Sequence, residues 1–168
     1  GHSTKDNWNN ARIRKNDVKK KISKWSKSKV MFPSSHDITP NNINEAMIVL
    51  RKILEADNEV LIVSKPHYKC IQQICDEFTD YQDKILFRFT IGSYNNKVLK
   101  YWEPGAPSLN ERMKSLKYAF NSGFETSVSI EPMMDNKVDK VIDAVKPYVT
   151  ETIWLGKVNQ MWNRLNRN

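Results

Sequence analysis

Cysteine is scarce in this chain: two among 168 residues, Cys70 and Cys75. Two thiols with no framework spacing exclude a disulfide-stapled secreted fold and fit a reducing, cytoplasmic compartment. No apolar run is long enough to span a bilayer and no secretory signal pattern is present, so no membrane association is expected. Hydrophobic residues amount to 39%, slightly low for a globular domain, but 10% aromatic residues argue against disorder. The length suffices for one domain with its own core. The opening Gly1-His2-Ser3 reads as a cloning remnant, and His2 carries no weight.

What is abundant is positive charge. Lys and Arg number 27 against 19 Asp and Glu, a net charge of +8. An anionic partner such as nucleic acid is one reading. The surplus is uneven, because Arg12, Arg14, Lys15, Lys19, Lys20, Lys21, Lys24, Lys27 and Lys29 all precede the first strong strand. A basic amphipathic segment of this kind is more often a solvated helix face than a binding stripe.

The hydrophobic pattern divides the chain into a flexible segment, 1–15, and one domain, 16–168. Asp17 is the expected N-cap of a short helix to Ser26, with Val18, Ile22 and Trp25 on one side. Continuous apolar runs at Val30–Phe32, Val60–Val63, Ile85–Ile91, Phe124–Ile130 and Thr152–Leu155 read as buried strands. Helices lie between them. Asn42 with Glu45, and Ser108 with Glu111, have the spacing of capping boxes. Leu109, Met113, Leu116 and Phe120 then give one apolar face, and Gly123 is the terminator. Further helices follow around Tyr68–Phe78 and after Asn136, which is the expected cap of the latter, ended by Pro147. Met161, Trp162 and Leu165 suggest a last helix, and the stretch from Ser93 to Trp102 reads as a long connection.

Strand and helix alternate five times, which specifies an α/β fold with a parallel sheet. Right-handed crossovers place all strand carboxyl ends on one edge. That edge collects Ser34, Ser35, His36, Asp37, Ser64, Lys65, Thr90, Ser93, Ser129, Glu131, Gly156, Lys157 and Asn159. Five strands suit either a partial (β/α) barrel or an open doubly wound sheet.

Read in order, these strand ends resemble the radical S-adenosylmethionine (SAM) enzymes, most closely the spore-photoproduct-lyase-like branch. The most specific piece is Glu103-Pro104-Gly105-Ala106-Pro107-Ser108 with Arg112, similar to that branch's Glu-Pro-x-Ala-Pro loop and following arginine. Ser34-Ser35-His36-Asp37 and Ser64-Lys65 resemble its polar runs at two successive strand ends. The resemblance covers about Val30 to Asn159. It implies a six-unit partial barrel in which a C-x3-C-x2-C loop holds a [4Fe–4S] cluster. SAM chelates the unique iron, and one electron yields a 5′-deoxyadenosyl radical.

That cysteine loop is absent. Cys70 and Cys75 lie five apart on an expected helix, about 140° apart around its axis, and cannot replace three loop thiolates. The five strands would then be the second to sixth of the family, and the chain a fragment, or a truncated or split protein. Alone it is expected to bind no cluster and to be inactive. The full-length protein would be a lyase or oxidoreductase of unknown substrate.

The resemblance assigns cofactor contacts residue by residue. Ser34 and Ser35 replace a glycine-rich turn that grips the amino group of SAM, beside Asp37. Lys65 meets a carboxylate or phosphate. Thr90 and Ser93 correspond to the ribose or methionine-carboxylate region, and Gly156 with Asn159 to the segment whose backbone holds adenine. Glu131 lies near the adenosine. Ser129, rather than Ser127, is assigned to the interior because Glu131 shares its face. No metal ligand set is evident, since His36 and Asp37 lack a third partner. Glu103 and Arg112 read as a structural ion pair. Two alternatives remain on the same scaffold: a nucleic-acid-binding module, or a catalytically silent interaction domain. Self-association through the exposed first-strand edge is also expected.

Overall fold

The computed structural model describes residues 13–25 and 29–157. Five strands, β1 (Val30–Phe32), β2 (Val60–Ser64), β3 (Ile85–Thr90), β4 (Glu125–Ile130) and β5 (Ile153–Leu155), form one sheet. Every neighbouring pair is parallel, and spatial order equals chain order. Parallel neighbours require crossovers, and right-handed crossovers advancing in one direction put their helices on one face. A doubly wound sheet needs the order to reverse at a switch point. No reversal occurs here, so that alternative falls. The fold is α/β with a five-stranded all-parallel sheet, compatible with a partial (β/α) barrel.

The register sorts the strand residues onto two faces, because side chains alternate along a strand and paired residues share a side. Val60, Ile62, Phe87, Phe89, Val128 and Ile130 are fully buried on the first face. They form the core with apolar residues of α2 (Ile43–Glu55), α3 (Tyr68–Glu77), α5 (Leu109–Asn121) and α6 (Val138–Val145). Burying each such side chain contributes roughly 1.5–3 kcal/mol. The second face carries Met31, Leu61, Val63, Leu86, Arg88, Thr90, Ser127, Ser129 and Trp154, all outside that core cluster. Met31 and Trp154 are half exposed. The sheet is therefore covered by helices on one side and polar-to-mixed on the other.

Several helix boundaries follow from side-chain bonds. Ser108 Oγ accepts from the Glu111 N–H at 3.3 Å and starts α5 at Leu109. Gly123 takes φ +82° just past its end. Glu111 does not return to close the box; its carboxylate accepts from the Tyr68 N–H at 3.1 Å and ties α5 to α3. Asn42 caps nothing with its side chain. Its Oδ1 accepts from the Thr39 N–H at 2.7 Å and its Nδ2 donates to the Asp37 carbonyl at 3.0 Å, folding the β1–α2 loop. The cap of α6 is Lys137 rather than Asn136.

Two expectations are corrected. The N-terminal helix, α1, spans only Lys15–Lys19, and the chain beyond it to Trp25 is irregular. A lone short helix is marginal in water, and here other groups claim its backbone. Lys52 Nζ donates to the Val18 carbonyl at 2.8 Å, Asn58 Nδ2 to the Ser23 carbonyl at 3.2 Å, and the Trp25 N–H to Asn58 Oδ1 at 2.6 Å. Conversely, the supposed long connection contains a helix, α4 (Asn96–Trp102), capped by Asn95 Oδ1 accepting from the Lys97 N–H at 2.9 Å. Leu99 is its one buried residue, too little to give a readable period. The expected flexible segment lies mostly, and the C-terminal helix wholly, outside the described residues.

Candidate functional site

The carboxyl edge of the sheet carries two polar clusters. The first joins β1, β2 and the proline-rich loop. Asp37 Oδ1 accepts from the Lys65 N–H at 2.7 Å and from Ser64 Oγ at 3.2 Å. Lys65 Nζ lies 3.6 Å from Asp37 Oδ2 and 3.8 Å from Glu103 Oε1. Glu103 Oε2 in turn accepts from Arg112 Nη2 at 2.7 Å. Arg112 is fully buried, and it also donates from Nε to the Pro107 carbonyl at 2.9 Å and from Nη1 to the Thr90 carbonyl at 3.0 Å. The loop Glu103–Pro107 is thus strapped to the end of β3. Together with Asp37, Thr39, Lys65 and His67 it borders a cleft of about 350 Å³.

The second cluster lies over β3, β4 and β5. Register places Thr90 beside Ser129 and Ser129 beside Trp154. Glu131 follows Ser129 on the same side, and its side chain lies across Gly156. A Cβ on Gly156 would fall 2.6 Å from Glu131 Cδ. Gly156 also bonds this corner through its backbone, donating to the Ile130 carbonyl at 3.2 Å and accepting from the Met133 N–H at 2.9 Å. Gly92 is similarly confined, but by backbone, since its Cβ would sit 2.7 Å from the Pro132 carbonyl oxygen. The peptide bonds Phe32–Pro33 and Glu131–Pro132 at this edge are cis.

Among the residues expected to contact cofactor, Thr90, Ser129, Glu131 and Gly156 come together. Asp37 and Lys65 meet in the first cluster. Ser34 and Ser35 stand exposed at the end of β1, about 14 Å from β4 across three strand spacings. Ser93 is buried, its Oγ donating to Asp135 and accepting from the Asn95 N–H at 2.9 Å, so it braces the loop. Asn159 lies outside the described residues.

Ser127 is not turned to the face opposite Ser129, though it is fully buried. Two residues from Ser129, it shares the same face and accepts from Arg88 Nε at 3.1 Å. Arg88 itself escaped the sequence reading. Its guanidinium lies 4.9 Å from the centre of the Trp154 ring and 3.4 Å from Glu151 Oε2. A charged residue interrupting the apolar run Ile85–Thr90 was the available signal. Asp135, the partner of Ser93, gave none.

Cys70 and Cys75 are buried on α3, on the helix-covered side of the sheet. Burial raises the thiol pKa of Cys70 and pushes that of Cys75 up to about 12, so both stay protonated. Among the described residues no three His, Cys, Asp or Glu side chains gather to hold a metal ion, and no helix is long and apolar enough to cross a membrane. Chemically, the second cluster offers hydroxyls, one carboxylate and glycine backbone, a set that fits a ribose or an amino group.

No family model matches this chain, and no solved structure matches it significantly. The uncharacterized protein ORF301 of Acidianus two-tailed virus is 26% identical over 117 residues, 68% of this chain and 38% of that protein. The chain therefore spans well under half the length of the curated relative it matches.

Proposed function

We propose that the chain is a SAM-binding partial barrel, the second to sixth units of a radical SAM barrel of the spore-photoproduct-lyase-like type. The observation that carries the proposal is the polar corner of Thr90, Ser129 and Glu131 on the sheet face opposite the core helices, at strand carboxyl ends and beside Gly156. In this reading the two hydroxyls and the Glu131 carboxylate bond the ribose and amino groups of the nucleoside, and Gly156, lacking a side chain, leaves room for Glu131 to lie against its backbone. Lys65, between Asp37 and Glu103, has donors to spare for a carboxylate. Bound SAM supplies a sulfonium poised for cleavage. Among the described residues no side chains gather to ligate the cluster that would cleave it, and Cys70 and Cys75 are buried on α3.

Amide NMR of the 168-residue chain titrated with millimolar SAM tests the proposal and tolerates weak affinity. Shifts should concentrate at Thr90, Ser129, Glu131 and Gly156 and vanish in Glu131→Ala. An unmoved spectrum would leave a catalytically silent interaction domain as the better description.

A further inference from the structure

The crossover from β3 to α5 exposes aromatic rings where the surrounding chain carries no negative charge. Tyr94, Tyr101 and Trp102 are 46%, 76% and 44% exposed. Between Gly92 and Trp102 there is no Asp or Glu, while Lys97 and Lys100 both reach solvent. The carboxylates flanking this stretch are engaged elsewhere. Asp135 accepts from Ser93 and from the Lys137 N–H, and Glu103 is held by Arg112 and faced by Lys65.

The segment is also fixed in place. Asn95 caps α4, Asn96 Oδ1 accepts from the Leu109 N–H at 3.0 Å, and Leu99 anchors the helix in the interior. Lys97 and Tyr101 are four residues apart and so share a helix face. The Tyr101 and Trp102 rings lie 5.3 Å apart, edge to face. Single exposed aromatics are ordinary, but three within nine residues, with Lys97 and Lys100 among them, form a surface suited to a partner.

We propose that α4 and the turn before it are a stacking platform for single-stranded nucleic acid. Bases stack on Tyr101, Trp102 and Tyr94, and the phosphate backbone runs past Lys97 and Lys100. Protein interfaces also favour Trp and Tyr but are poor in Lys. The lysines here, and the net charge of +8, favour a polyanion with flat apolar bases. The proposal is independent of SAM binding, because the platform shares none of the residues assigned to that corner.

Fluorescence anisotropy of the full 168-residue chain with labelled oligo-dT and oligo-rU at low salt is the test. Saturable binding is expected, tighter for single strands than for duplex. Tyr101→Ala and Trp102→Ala should each weaken it about tenfold, as loss of one stacked base does. Lys97→Gln and Lys100→Gln should each lower the salt slope by about 0.7. The substituted side chains are solvent-exposed, so circular dichroism and melting should confirm unchanged folding. The proposal is overturned by absence of saturable binding, or by affinity indifferent to ring removal but lost in Lys15→Gln/Lys19→Gln. It is equally overturned by a preference for duplex, or by poly-glutamate displacing the oligonucleotide as well as unlabelled oligonucleotide does, which would indicate a plain cationic field or an acidic protein partner.

Discussion

Removing the Arg112 guanidinium should be among the most damaging single changes this fold can suffer. In Arg112→Met a side chain of similar length keeps most of the packing, but three acceptors lose their donor together: Pro107 O, Thr90 O and Glu103 Oε2. A charge-assisted hydrogen bond contributes about 1.5–3 kcal/mol, and stripping one partner from a buried ion pair costs about 3–5 kcal/mol. Glu103 retains some solvent contact, 12%, and Lys65 stands 3.8 Å from its other oxygen, so the lower part of that range applies. The expected loss is about 3 kcal/mol, and for a chain of this size roughly 2–4 °C of melting temperature accompany each kcal/mol. Urea denaturation should show a lower midpoint with an unchanged slope. Arg112→Lys keeps the charge without the planar fork and should recover only part of the loss. In a double-mutant cycle, Glu103→Gln should cost much less once Arg112 is gone. A loss below about 1 kcal/mol for Arg112→Met would refute the assignment of this residue as the strap between the proline loop and β3.

Three further outcomes are expected. Gly92→Ala should destabilise by about 1–3 kcal/mol because the added methyl meets backbone, whereas Gly156→Ala meets the movable Glu131 side chain and should cost less while displacing it; equal melting losses would contradict this. The Asp57 carboxylate, hydrogen-bonded by Lys24 and Lys84, is lowered from 3.8 to about 2. Its folded pKa lies below its unfolded value, so its contribution is complete above about pH 4 and is lost as pH falls through about 2; a carbon-13 titration midpoint near 3.8 would contradict the contacts. Neither Cys70 nor Cys75 should react with a disulfide reagent at pH 8 until the protein is unfolded, because burial keeps both thiols protonated; rapid native-state labelling would place them at the surface.

The strands were legible because their information is local. Each is a short apolar run; four of the five strands shifted one end by one residue, and β1 kept both ends. The α5 start was legible for the same reason, since Ser108 bonds the nearby Glu111 N–H. What failed depended on competing partners, some near in the chain and some distant. The box at Asn42 dissolved because Thr39 and Asp37 compete for its amide, and the helix after Asp17 gave way to Lys52 and Asn58, more than thirty residues away. α4 was invisible because one buried leucine cannot set a period. At the site, the carboxyl-edge residues followed from topology alone. Which of them remain free for a ligand did not, because that depends on pairings such as Ser93 with Asp135 that no spacing announces.

Strand order that equals chain order makes the molecule open-ended. Each β-strand rests only on the strand before it and the strand after it, and the two outermost, β1 and β5, are three residues long. Among the described residues β1 and β5 each pair with a strand on one side only, so a further strand could join at either margin without any existing strand having to part. Evolution can therefore lengthen or trim such a sheet like a fan gaining or losing outer ribs, while the interior joints stay untouched.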